Sequence, residues 1–248
     1  MADSIEHLPG GFLPSLPSPS PSTVSTASPS NLPHPRRNPL KAGSSKEDAL
    51  RRYVDRRLLV VGRRYAKKFL PLEAGDEVKG YEGFGEVAKD LGELIDVIWL
   101  SGTPSLQIPY LLNVALAVTS YITAFPFSPK ATFVLLGKLD HVFSSLLKGE
   151  DCVSGEILPG FSGGMRAGLS LTHMVRCKGL VEATRVLVVE VMGRGGKIET
   201  EGEDEDEDDA ETGAEWEMEA ARVYEMTIMR LGDSLGEEFA VPGAGAGV

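Results

Sequence analysis

One long stretch of this sequence has no charge. Between Asp96 and Lys130, across "VIWLSGTPSLQIPYLLNVALAVTSYITAFPFSP", no side chain is ionised. Cysteine is also scarce: Cys152 and Cys177 are the two present in 248 residues, too few for a disulfide framework. The N-terminus "MADSIEHLPGGFLPSLPSPS" has neither the basic start nor the continuous apolar core of a secretory signal. Together these predict a reducing compartment, nuclear or cytoplasmic, and free thiols. A basic surplus is missing as well. The net charge is -11 and the pI near 4.9, which argues against nucleic acid as a partner of the whole molecule.

Catalytic signatures are equally sparse. His7 and His34 lie in a Pro/Ser-rich arm, and His141 and His173 stand apart from each other. The cysteines lack the paired spacing of a zinc site, and H-E-x-x-H does not occur. Asp140 adjoins His141, but consecutive residues on a helix do not face each other. The reading is therefore of a protein that is not an enzyme, with no cofactor and no metal.

What is present is helical periodicity. Residues 1–43 carry "PSLPSPSPSTVSTASPSNLPHPRRNPL", whose prolines cannot donate backbone hydrogen bonds, and are expected to be disordered. A core domain is expected over 44–193. Ser44 or Ser45 caps a first helix with Leu50, Val54, Leu58, Val61, Tyr65 and Phe69 on one face. The segment "FGEVAKDLGELIDVIWL" repeats the spacing through Val87, Leu91, Leu94 or Ile95, and Ile98. A third helix begins near Thr103 or Ser105 and runs through Leu111, Val114, Val118 and Ile122, with Pro109 in its first turns, until Pro126 and Pro129 stop it. In the fourth, Ser128 is the cap, Pro129 the first residue, Leu135, Leu139, Val142 and Leu146 the apolar stripe, and Gly149 the stop.

Ser170 caps a fifth helix over "LSLTHMVRCKGLVEATRVLVVEVMG". Its Val186–Met192 portion is β-branched enough for a strand but has no strand to pair with. An acidic disordered loop is expected at 194–214, a last helix at 215–240 with Trp216, Ala220, Val223, Thr227, Leu231 and Leu235 on one face, and a flexible tail at 241–248. The predicted fold is an all-α bundle of about six helices.

The charge-free stretch is long enough to cross a bilayer as a helix, so membrane association through 103–125 is one alternative. Pro104, Pro109, Gln107 and Asn113 within it, and the absence of flanking Lys or Arg clusters, favour a central core helix instead. A second alternative is an anion or nucleotide site at "GGMRAGLS", with Gly163, Gly164, Gly168 and Ser170 at the start of the fifth helix. Gly163 and Gly168 have the Walker spacing, but Leu169 stands where the lysine belongs.

Charge layout supplies the remaining signal. Lys46 to Lys68 holds nine basic residues and three acidic ones, whereas Glu199 to Glu219 holds thirteen acidic residues and no basic one. The first helix thus presents Arg51, Arg52, Arg56, Arg63, Arg64, Lys67 and Lys68 as a candidate surface for a protein partner. It is the one place where nucleic acid could bind. The acidic tract is either a solvated loop or a segment that folds back on those arginines.

The stretches "YVDRRLLVVGRRYAKKF", "IWLSGTPSLQIPYLLNVA", "KLDHVFSSLLKGED" and "LVEATRVLVVEVM" resemble a filamentous-fungal family sometimes labelled meiotic recombination proteins. The resemblance covers about Ser44 to Met192. It implies a fungal, nuclear protein with at most an accessory meiotic role, since neither the Walker lysine nor the βαβ succession of a RecA-type ATPase is present. The function expected is that of a non-enzymatic helical adaptor or accessory subunit of a nuclear or cytoplasmic complex.

Overall fold

Ser44 opens the first helix, α1 (Ser45–Ala66), by accepting a hydrogen bond from the Glu47 amide. Glu47 in turn reaches back, and its Oε2 accepts from the Gly43 amide at 2.6 Å. This is a reciprocal cap of the kind that fixes a helix start. The computed structural model describes residues 32–70, 78–164, 168–195 and 216–239. Over them follow α2 (Phe84–Leu100), α3 (Pro104–Tyr121), a 3-10 turn at Ile122–Ala124, α4 (Pro129–Lys148), α5 (Leu171–Gly195), α6 (described over 216–222) and α7 (Glu225–Phe239). Among the described residues no strand forms; Glu150 and Ile157 make one isolated bridge. Val186–Met192 is helical, within α5.

Helix α4 lies between α2 and α7, α3 between α2 and α5, and α1 against α2. Being covered on two sides, α4 buries residues all round its second half, from Leu139 to Leu147. Val87, Leu91 and Ile95 of α2 meet Leu139, Val142 and Leu146 of α4 in one continuous core. Gly149, at a φ of 77°, ends α4 as a glycine can and a β-carbon cannot without strain.

The charge-free stretch forms α3. Pro104–Ala124 is long and apolar enough to cross a membrane, and half of that window is buried within the protein. Leu111, Val114 and Val118 are fully buried in the common core. Gln107 is buried too, and its Nε2 donates to the Trp99 carbonyl at 3.0 Å, so its burial carries no unmet polar group. The membrane alternative over 103–125 thereby loses its motive: the apolar face already has partners. Thr103 is the N-cap, with Pro104 first in the helix. Pro109 sits deeper than the first turn, where its missing amide leaves the carbonyl of exposed Ser105 to solvent.

Three expectations need correction. Residues 32–43 of the arm are held against the α2–α3 junction: Arg36 donates its amide to the Leu100 carbonyl at 3.2 Å, and Leu40 donates to Thr103 Oγ1 at 2.8 Å. The rest of the arm lies outside the described residues. The first helical face stops at Tyr65, because the chain returns at Tyr81 and its amide takes the Arg64 carbonyl at 3.2 Å. Phe69 then adopts a φ of 64° and is exposed.

The last helix breaks at Val223–Tyr224, with Tyr224 at a φ of 57°. Nothing local signals this, yet both sides of the break are satisfied. Arg185 Nη1 donates to the freed Val223 carbonyl at 2.8 Å, and Asp140 receives the first amides of α7. The predicted stripe of Val223, Thr227 and Leu231 stays buried across it. The expected acidic loop at 194–214 and tail at 241–248 fall almost wholly outside the described residues.

Candidate interaction surface

The basic residues of α1 divide into two sets by helical phase. Arg57 and Arg64, seven apart, face α2 and meet Glu86, Asp90 and Glu93 there. Arg64 is the more committed. Its Nη1 lies 2.7 Å from Asp90 Oδ2, its Nη2 2.9 Å from Glu86 Oε2, and its Nε donates to the Lys79 carbonyl at 3.2 Å. The guanidinium stacks over the Tyr81 ring, 4.1 Å from its centroid, while the Tyr81 hydroxyl donates to the same Asp90 oxygen at 2.8 Å. Burial pushes the Tyr81 phenol far up, and its hydrogen bond to Asp90 adds to the shift, so it stays a donor at every working pH.

Four of the residues singled out in the sequence are thus used within the fold. Arg64 anchors α1 to α2. Arg51 lies 2.8 Å from Glu47 one turn back, and the Arg51 guanidinium and Gly43 amide hold the Glu47 carboxyl below its ordinary range. Lys68 rests over the Tyr65 ring at 4.4 Å, and Lys67 donates its amide to the Arg63 carbonyl, closing the helix.

Arg52, Arg56 and Arg63 differ. They recur at i, i+4 and i+11, one stripe of the helix, and all three are exposed. Arg52 Nε donates only to the Asp48 carbonyl of its own helix, and no ion pair among the described residues holds Arg56 or Arg63. Between them, at i+7, is Leu59, 64 % exposed. The stripe is therefore three guanidinium groups around an unburied leucine.

Gly163 and Gly164 are exposed, and the Gly164 amide donates to the Phe161 carbonyl at 2.8 Å. Residues 165–167 lie outside the described ones. Leu169 is buried in the core, and Ser170 caps α5: its Oγ accepts from the His173 amide at 3.4 Å and lies 3.0 Å from His173 Nδ1.

Two polar clusters were not foreseen. His141 is buried in the second half of α4, with Nε2 2.8 Å from Asp151 Oδ2 and its ring edge-on to Trp99. Asp151 Oδ1 also accepts the amides of Val153 and Ser154 at 3.0 and 2.8 Å, which closes the following turn. Cys152 completes the group, its amide donating to Ser145 Oγ at 3.0 Å and its thiol to the His141 carbonyl at 3.8 Å. Burial opposes charge on each member, but mutual hydrogen bonding outweighs it. The His141 pKa is raised by Cys152 and Asp151, that of Asp151 lowered by the Ser154 amide and His141, and that of Cys152 lowered by His141, Ser144 and Ser145. The second cluster joins Asp140 to α7; burial raises this carboxyl's pKa against the hydrogen bonds from Thr227 and Met226. The adjacent Asp140 and His141 in the sequence were a hint of neither, because the two point to different partners.

Against known proteins, the sequence model of the TFB6 family, described as subunit 11 of the general transcription factor TFIIH, matches residues 80–232. No curated protein matches the chain, and no solved structure does. The matched region takes in α2 to the middle of α7, so it includes the final helices that the sequence resemblance left out and excludes α1. The meiotic recombination label finds no support: the family matched is named for a transcription factor. With more than half of its length covered by that match, the chain belongs to the TFB6 family, subunit 11 of the general transcription factor TFIIH.

Proposed function

We propose that the chain is a non-catalytic accessory subunit of a nuclear, TFIIH-related complex, and that the outer stripe of α1 is one of its contacts with a partner protein. Family membership supports the first half; it favours the nucleus over the cytoplasmic alternative and leaves no reason to carry a meiotic role forward. The single observation behind the second half is the stripe itself, with Arg52, Arg56 and Arg63 around exposed Leu59. Arginines flanking an apolar side chain suit an acidic protein surface with a shallow apolar pocket, since arginine and buried aliphatic groups supply interface energy together. Leu59 at the centre and a net charge of -11 weigh against nucleic acid as the ligand.

Affinity purification of the tagged full chain from nuclear extract at low salt, followed by mass spectrometry, tests the first half. Recovery of TFIIH subunits is the expected result. Their absence, with other partners recovered, contradicts it.

A further inference from the structure

The face of α2 that carries Gly85, Ala88 and Gly92 is a different one from that holding Glu86, Asp90 and Glu93 against α1. Because the first three have little or no side chain, an open groove of about 360 Å³ remains between α2 and α4. Ala131, Val134 and Leu135 form an apolar strip on its α4 side, with Val134 57 % exposed. Lys89, Lys130 and Lys138 also line it, and no acidic side chain does.

Two helix starts add to the positive charge of this groove. Gly85 is in the first turn of α2 and Ser128 is the N-cap of α4, and both line the groove. The two helices therefore run in the same direction and bring their positive ends to one place. Lys138 is held by Asp96, 2.7 Å away. Lys89 and Lys130 are exposed and have no ion pair among the described residues.

We propose that this groove docks a short acidic segment of a partner protein that carries a large apolar side chain. Its carboxylates meet Lys89 and Lys130, and its apolar side chain fills the space over Ala88, Ala131 and Val134. The chain's own acidic tract fits less well: from Glu199 to Glu215 it has no apolar residue larger than alanine, so it offers charge and nothing for the floor. Nucleic acid likewise presents phosphate on a broad convex surface, while this groove admits a few side chains. The proposal does not depend on the α1 stripe or on TFIIH membership.

Fluorescence anisotropy on the intact chain tests it, using a labelled acidic peptide of Glu with two Leu. The controls are the same peptide with Glu changed to Gln, and with Leu changed to Ser. Gly85→Leu fills the groove at a site where an added Cβ meets nothing within 4 Å, and in a helix leucine is favoured over glycine. Lys89→Glu with Lys130→Glu reverses the rim. The Glu/Leu peptide is expected to bind at least about tenfold tighter than either control, and each variant to weaken it at least about tenfold without a lowered thermal midpoint. Variants that bind like the parent chain would overturn the proposal. So would equal binding of the Leu-to-Ser peptide, full competition by duplex DNA, or binding seen only after residues 199–211 are deleted, which would make the chain's own tract the occupant.

Discussion

Asp140 of α4 and Thr227 of α7 are 87 residues apart, and one carboxylate oxygen of Asp140 accepts both the Thr227 amide at 2.8 Å and its hydroxyl at 2.6 Å. The other oxygen accepts the Met226 amide at 3.3 Å. A helix normally finds its cap next to it in sequence; α7 takes its cap from across the bundle, where Tyr224 turns the chain sharply. The break after α6 is tolerated because of this contact.

Asp140→Ala leaves two amides without their acceptor and the Thr227 hydroxyl with only the Asp140 main-chain carbonyl, 3.2 Å away, and is expected to cost about 3 kcal/mol; Thr227→Val is expected to cost about 1 to 2 kcal/mol. Urea unfolding of both singles and the double variant checks this. The double should lose clearly less than the sum, with a coupling of about 1 kcal/mol or more. Additive losses would show that the two groups act separately.

Gly80 is fixed by a close approach of backbone to backbone. A Cβ there would fall 1.9 Å from the Lys67 carbonyl oxygen, so Gly80→Ala must push the returning chain off the end of α1 and lose the Tyr81 to Arg64 hydrogen bond. Thermal unfolding should show a loss of about 2 kcal/mol or more. Gly62→Ala, in α1 with open space around the new methyl group, is the control and should be neutral or stabilising by up to about 1 kcal/mol. Equal behaviour of the two variants would refute the close-approach account.

The two thiols should separate by reactivity. Cys177 is buried, and its pKa is pushed up to about 12 by that burial. Cys152 is half-buried, and its hydrogen bonds to His141, Ser144 and Ser145 bring its pKa below the ordinary thiol value despite burial. Iodoacetamide at pH 7.5, read by peptide mapping, is expected to modify Cys152 in the folded protein and Cys177 only after denaturation. Modification of both at the same rate would contradict this.

The His141–Asp151 pair sets a pH dependence whose sign follows from its shifts. The raised His141 pKa contributes stability that is fully present below the unfolded value of about 6.5 and is lost as pH rises through the folded value. The lowered Asp151 pKa contributes stability present above about 3.9 and lost as pH falls through its folded value. The difference in stability between the parent chain and Asp151→Asn should therefore be largest between about pH 4 and 6.5 and shrink towards pH 9. A difference that stays flat from about pH 5 to 9 would mean that His141 is neutral throughout.

How much of this was legible depends on the range of the interaction. Leu111, Val114 and Val118 could be placed in the core from spacing alone, because helix period and burial are local properties of the pattern. Ser44 and Ser170 were readable as caps for the same reason. Arg64 was not separable from Arg63 in a basic run, since what distinguishes them is the position of Asp90 on another helix. The Tyr224 break was invisible because no Gly or Pro marks it; the residues that permit it, Asp140 and Arg185, come from α4 and α5. The His141, Asp151 and Cys152 group was missed although it spans only the second half of α4 and the next loop. Ten residues separate His141 from Asp151, and the turn at Gly149 that brings them together was read only as a stop signal.

Reversing the outer stripe of α1 tests the functional account most directly. Arg52→Glu, Arg56→Glu and Arg63→Glu together alter exposed side chains that no cross-helix hydrogen bond or ion pair among the described residues uses, so the thermal midpoint should stay within about 2 °C of the parent chain. Affinity purification of this triple variant beside the parent, from the same nuclear extract, is predicted to lose most of the TFIIH subunits that the parent recovers. Equal recovery by a folded triple variant would show that the stripe is a solvated face and that the subunit is held in its complex elsewhere.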